Sequence, residues 1–140
     1  MPDLFARFAT KSRHIIQMGD VLRLSSSCFK RRMDENCLSI ICIDGCANHE
    51  DVFDIGYNTL NNVCGYGQLK YSAICAVEYC EEDHLCCSVK QFGSDERHFE
   101  LHPGRDDLAE MEFFQQVKAC DLMSKRLSEQ SIAFLPQNKR

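Results

Sequence analysis

The chain contains no tryptophan, so any core must be assembled from nine Phe, four Tyr and a supply of aliphatic and thiol side chains. It is also short of cations: 16 Lys and Arg face 21 Asp and Glu, leaving a net charge of -5. Domains dedicated to nucleic acid usually carry a basic excess that displaces counterions from phosphates. The balance therefore argues against that class, although a local basic patch can act within an acidic whole. No stretch approaches the roughly 18 consecutive apolar residues of a membrane-spanning helix. The opening residues, Met1-Pro2-Asp3-Leu4-Phe5-Ala6-Arg7-Phe8, lack the apolar region of a secretory leader. Residues 4–16 carry Arg7, Lys11 and Arg13 without an acid, as an organelle-targeting segment would, but an ordinary first helix is the better explanation. No Gly-rich phosphate loop, Gly-x-Ser-x-Gly elbow or His-Glu-x-x-His helix is present, and no internal repeat.

Cysteine is what the chain has in abundance, with ten in 140 residues. Most lie inside apolar runs such as Ile41-Cys42-Ile43 and Ala73-Ile74-Cys75-Ala76-Val77, where a free thiol behaves as a small hydrophobe. This placement predicts a reducing compartment, cytosol or nucleus, and no disulfide framework. The length and the 44% hydrophobic content suit one globular domain over residues 1–127, followed by a loosely ordered tail over 128–140.

Hydrophobic periodicity predicts the elements. Residues 3–18, with Leu4, Phe5, Phe8, Ile15 and Ile16, read as a short helix, and 19–29 as a first strand. A charged turn, Lys30-Arg31-Arg32-Met33-Asp34-Glu35-Asn36, leads to a nearly continuous β-branched strand over 37–44. Residues 51–57 alternate through Phe53, Ile55 and Tyr57 as a second strand, and 58–67, rich in Asn and Gly, read as a turn. Residues 69–79 place Leu69, Tyr71, Ala73, Cys75, Val77 and Tyr79 on one face of a half-buried strand. Strands over 85–92 and 97–101 follow, and Asp107 with Glu110 opens a long helix ending near Leu127. The expected fold class is α+β: an antiparallel sheet or partly closed barrel of five to seven strands, with a short N-terminal helix and a long C-terminal one.

Several constellations offer chemistry. Cys46 and His49, with Cys80 and His84, would supply a tetrahedral zinc set at predicted strand ends; Cys64, Cys75, Cys80 and His84 form a second set. In a chain this rich in cysteine, free thiols account for both, and no cofactor is expected. Cys86 with His84 would make a nucleophile pair, but Glu81, Glu82 and Asp83 beside them would raise a thiol pKa. The basic run Lys30-Arg31-Arg32 suits an anion: an acidic peptide, a phosphoinositide or a nucleic-acid backbone. On the C-terminal helix, Phe113 and Leu122 are left over from the apolar face, available to a partner or a second copy of the chain.

The order of strands 85–92 and 97–101 followed by helix 107–127 resembles the end of a pleckstrin-homology or PTB-like domain. That resemblance implies a seven-strand barrel closed by the helix, with inositol phosphate bound at Lys30-Arg31-Arg32. Such domains usually hold a Trp in the last helix, where this chain has Phe113-Phe114. An OB-fold subunit is the rival resemblance, implying single-stranded nucleic acid or a partner helix as ligand. The residues together point to a non-enzymatic interaction domain with a protein partner. The alternatives are a zinc-stabilised or OB-like nucleic-acid module and a small enzyme without a recognisable motif. Thiol titration in denaturant, on protein purified without reductant under thiol protection, should find most of the ten cysteines free; several native disulfides would contradict the reading.

Overall fold

A computed structural model of the protein describes residues 2–29, 38–75, 88–102 and 113–137. Strand β1 (Leu4–Ala9) has five apolar residues in six, which suits a strand covered on both faces. Phe5 and Ala9 point to one side, and Leu4, Ala6 and Phe8 to the other. The hairpin of β2 (Ile15–Met18) and β3 (Val21–Leu24) forms a separate two-stranded sheet. β4 (Leu38–Cys42) and β5 (Gly65–Lys70) flank β1; β7 (His98–His102) and β6 (Ser88–Gln91) extend the sheet beyond β4, and β8 (Ile132–Phe134) beyond β5. The order is β6-β7-β4-β1-β5-β8, and every neighbouring pair is antiparallel. An aspartate fixes the start of β1: Asp3 N and Leu4 N each donate to the Asp44 carboxylate at 2.9 Å.

The sheet is covered on both sides. Helix α1 (His49–Thr59) buries Val52 and Phe53 against Ala6, Phe8 and Tyr66. On the opposite face Phe5, Ile40, Leu69, Phe99 and Leu101 meet Leu24 of the hairpin, Phe29, and Met123 and Leu127 of α3 (Phe113–Gln130). A five-residue helix, α2 (Tyr71–Cys75), follows β5 and adds Ile74 to that core.

Two glycines let the hairpin lie directly on β5. A Cβ at Gly67 would come within 2.3 Å of Leu24 Cδ1, and one at Gly65 within 2.3 Å of Ile15 Cδ1. Glycine inside a strand marks this kind of close approach. Serines then join the hairpin to the end of the chain. Leu24 N donates to Ser131 Oγ at 3.0 Å, and Ser128 Oγ donates to Leu24 O at 2.6 Å. Both backbone groups of a fully buried residue thus find side-chain partners, as burial requires.

The coarse expectation, α+β with an antiparallel sheet and a long C-terminal helix, is what forms. The details differ in several places. No helix spans 3–18: β1, a 3₁₀ turn (Ser12–His14) and β2 occupy it, because Leu4–Ala9 is apolar on both faces and Gly19-Asp20 is a two-residue hairpin turn. Gly19 has φ of 64° while Asp20 does not enter the left-handed region, the pattern of a turn with Gly first. The predicted strand over 19–29 is only its first part, β3, followed by a 3₁₀ turn (Ser26–Phe29). Residues 51–57 are helical; burial falls on Val52, Phe53 and Gly56, one and four residues apart, which a helix brings to one side. The strand expected from 69 begins at Gly65 and gives way to α2 at Tyr71, and residues 76–87 lie outside the described residues. Residues 128–134, read as loose tail, complete α3 and add β8 to the sheet. Among the described residues there are eight strands in two sheets, and the larger does not close into a barrel.

Gly67→Ala should destabilise the protein by about 1–3 kcal/mol, since its Cβ overpacks a fully buried Leu24. Ser131→Ala should cost about 1–2 kcal/mol by orphaning Leu24 N. Urea unfolding of both variants checks this; wild-type midpoints would show that the hairpin is not docked on β5.

Candidate functional site

The chain turns into α1 through a well-made cap. Asn48 is extended (φ -156°, ψ 176°), and its side chain accepts from Asp51 N at 2.9 Å. Asp51 returns the favour by accepting from Ala47 N at 3.0 Å. Glu50 and Asp51 in the first turn meet the positive end of the helix dipole. Gly56 sets how closely α1 approaches the sheet, since a Cβ there would come within 2.6 Å of Phe8 Cε1. His49, Phe53 and Tyr57, spaced by four residues, then run in a line along one side of the helix.

Below that line three rings cross the sheet in register. Phe8 of β1 pairs with Tyr66 of β5, and Tyr66 with Phe134 of β8. Tyr66 is the hub: its ring lies 6.2 Å from Phe8, 5.3 Å from Phe134 and, edge to face, 5.2 Å from Phe53. It is 1% exposed. Its hydroxyl lies 2.6 Å from His49 Nδ1, and the His49 ring lies against Phe134, centroids 4.1 Å apart and tilted by 31°.

Burial first, and then the nearby Cys46 thiol, push the Tyr66 phenol up to about 12, so its hydroxyl keeps its hydrogen. A buried hydroxyl needs an acceptor, and His49 Nδ1 is the one in reach. With the hydroxyl as donor, Nδ1 is the acceptor and a neutral imidazole would carry its hydrogen on Nε2.

Between α1 and the chain leaving β8 opens a cavity of about 500 Å³. Asn48, His49, Glu50, Phe53, Asp54 and Tyr57 form one wall, and Phe134, Leu135, Pro136 and Gln137 the other. Its lining combines aromatic rings with two carboxylates, and the described residues that line it include neither Lys nor Arg.

The residues expected from sequence fare differently. Lys30-Arg31-Arg32, Cys80, His84 and Cys86 lie outside the described residues. Phe113 opens α3 and Leu122 lies within it, but their side chains are outside the description. Cys46 and His49 flank the cap of α1, where His49 gives one ring nitrogen to Tyr66. Among the described residues no group of three or more His, Cys, Asp or Glu is placed to hold a metal ion. Cys28, Cys42, Cys46 and Cys64 carry free thiols. Burial raises the pKa of Cys28, Cys46 and Cys64, so these thiols stay protonated and poorly nucleophilic. The groove itself escapes a reading by segments, because Tyr66 and Phe134 come from stretches read as turn and tail. Its one legible signal is Asn48 followed by His49, Phe53 and Tyr57 at helical spacing.

A second feature lies on the 3₁₀ turn after β1. Lys11 and Arg13 are exposed there, and burial, then Arg13, Lys11 and Arg7, lower the pKa of His14. Arg7 is itself engaged, donating to Cys28 O at 2.9 Å and Ser39 O at 2.8 Å.

No protein-family model matches this chain, and comparison with curated proteins and with solved structures finds no match.

Tyr66→Phe should lower stability at neutral pH by about 1–2 kcal/mol through loss of the His49 hydrogen bond. The pH dependence has a definite sign. With the folded pKa raised from 10.0 to about 12, the unfolded chain releases its proton first. Stability from this group is complete below the unfolded value and is lost as pH rises through the folded one. The gap between wild type and Tyr66→Phe should therefore narrow as pH rises through that window, measured by urea unfolding. A constant gap would show that the Tyr66 hydroxyl is not buried.

Proposed function

We propose that the protein is a non-catalytic interaction domain that holds a segment of a protein partner in the groove between α1 and β8. The observation that carries this reading is the lining: the rings of His49, Tyr57 and Phe134 stand with Glu50 and Asp54 around a space of about 500 Å³. Pockets of that size that combine apolar and aromatic side chains with polar groups are suited to recognition. Aromatic anchors also dominate the energetics of protein interfaces. Reaction chemistry is less well served: the imidazole orients Tyr66, and the nearby Cys46 thiol is held protonated. The free thiols at Cys28, Cys42, Cys46 and Cys64 support action in a reducing compartment, cytosol or nucleus.

One observation favours a second reading, in which the domain binds a nucleic-acid backbone. Lys11 and Arg13 are exposed on one turn beside His14, and Lys30-Arg31-Arg32 follow in sequence. In that case the affinity for a labelled oligothymidine should fall steeply with salt and weaken on Lys11→Ala/Arg13→Ala.

The groove reading is tested by selecting phage-displayed random peptides on the wild-type chain. Selected peptides should bind Tyr57→Ala at least about tenfold more weakly, the loss of about 1.4 kcal/mol expected from one aromatic anchor. Failure to obtain any Tyr57-dependent peptide would overturn it.

A further inference from the structure

We propose that the outer face of the β2–β3 hairpin is a second interaction surface, which takes a protein segment carrying an acidic side chain beside apolar ones. The register of the hairpin decides which residues it shows. Ile15, Leu22 and Leu24 pack into the core, with Ile15 and Leu24 seated over Gly65 and Gly67. Strand alternation turns Ile16, Met18, Val21 and Arg23 the other way, as two cross-strand pairs, Ile16 with Arg23 and Met18 with Val21. Met18 and Val21 are 49% and 50% exposed. The hairpin thus has one apolar face spent on the core and a second, with a cation in it, turned outward.

Charge says what covers it. Residues 11–24 hold Lys11, Arg13 and Arg23 against one acid, Asp20, within a chain of net charge -5. Lys11 and Arg13 are exposed on the turn that leads into β2, at the Arg23 end of the hairpin. None of the three forms an ion pair among the described residues, and Arg23 Nε is buried without an acceptor. A carboxylate that reaches this end makes charge-assisted bonds and supplies the counter-charge that the fold does not. Two residues of strand separate Arg23 from Val21, about 7 Å. The matching segment therefore sets its acid two residues from an apolar side chain in a strand, or about one turn away in a helix.

Other occupants fit less well. A second copy would bring the cations of both chains to one interface. Nucleic acid would use the cations but find no ring to stack on among Ile16, Met18, Val21 and Arg23. An anionic membrane would have to admit Asp20, which stands at the tip between Met18 and Val21.

The experiment takes those phage-selected peptides that bind wild type and Tyr57→Ala equally, which sets groove binders aside. They should carry Asp or Glu near Leu, Ile or Val. Met18→Gln/Val21→Thr and, separately, Lys11→Ala/Arg13→Ala should each weaken them at least about tenfold. Urea midpoints should stay at the wild-type value, because all four residues are exposed. Replacing the peptide's acid by its amide should cause a similar loss of binding. Peptides that bind every variant equally, or the absence of any Tyr57-independent peptide, would overturn the proposal. So would a dimer in sedimentation, or retention on phosphatidylserine vesicles, that Met18→Gln/Val21→Thr abolishes, since either gives the face another occupant. Oligothymidine bound more tightly than any such peptide, and lost in Lys11→Ala/Arg13→Ala, would overturn it in favour of nucleic acid.

Discussion

The hydroxyl of Tyr66 is the constraint around which the rest of this face is arranged. A phenol on the strand next to the sheet edge, 1% exposed, must find a hydrogen-bond partner or cost roughly 1–3 kcal/mol. His49 supplies it, and to do so α1 must begin where it does, capped by Asn48 and pressed on Phe8 at Gly56. The same ring needs apolar neighbours on all sides, and β8 provides Phe134 as its cross-strand partner. Satisfying one buried group thus brings α1 and the end of the chain together. The groove is the space left between them.

The other face of the sheet is held by a different economy. It replaces strand pairing with serine hydroxyls, which join Leu24 to Ser128 and Ser131 across more than a hundred residues of sequence. Gly65 and Gly67 remove the side chains that would keep the hairpin off β5. β5 is therefore used twice: its glycines face the hairpin, and Tyr66, on the alternate side, faces α1. A strand with bulky residues at all three positions could serve only one of these layers. The anchoring of β8 by the serines also fixes Phe134, so the two faces are mechanically linked through one short strand.

The class of fold was legible in the sequence because long-range burial leaves local marks: the β-branched run at Ile40-Ile41 and the alternation around Phe99 and Leu101. Other elements were less so. Phe53, Ile55 and Tyr57 alternate as in a strand, yet burial of Val52 and Gly56 shows that four-residue spacing governs. Leu4–Ala9 is apolar at every position but Arg7, and such runs carry no period that separates helix from strand. The groove was less legible still. Its two walls are separated by most of the chain, and Tyr66 between two glycines looks like turn until the hairpin that needs those glycines is in place.

The direction of the Tyr66–His49 hydrogen bond tests this account most directly. Long-range ¹H–¹⁵N correlation spectra of the His49 ring at neutral pH report which nitrogen carries hydrogen. The account predicts hydrogen on Nε2 and an accepting Nδ1, with the Nδ1 resonance moving when Tyr66 is replaced by Phe. Hydrogen on Nδ1, or a His49 ring spectrum indifferent to Tyr66→Phe, would contradict it.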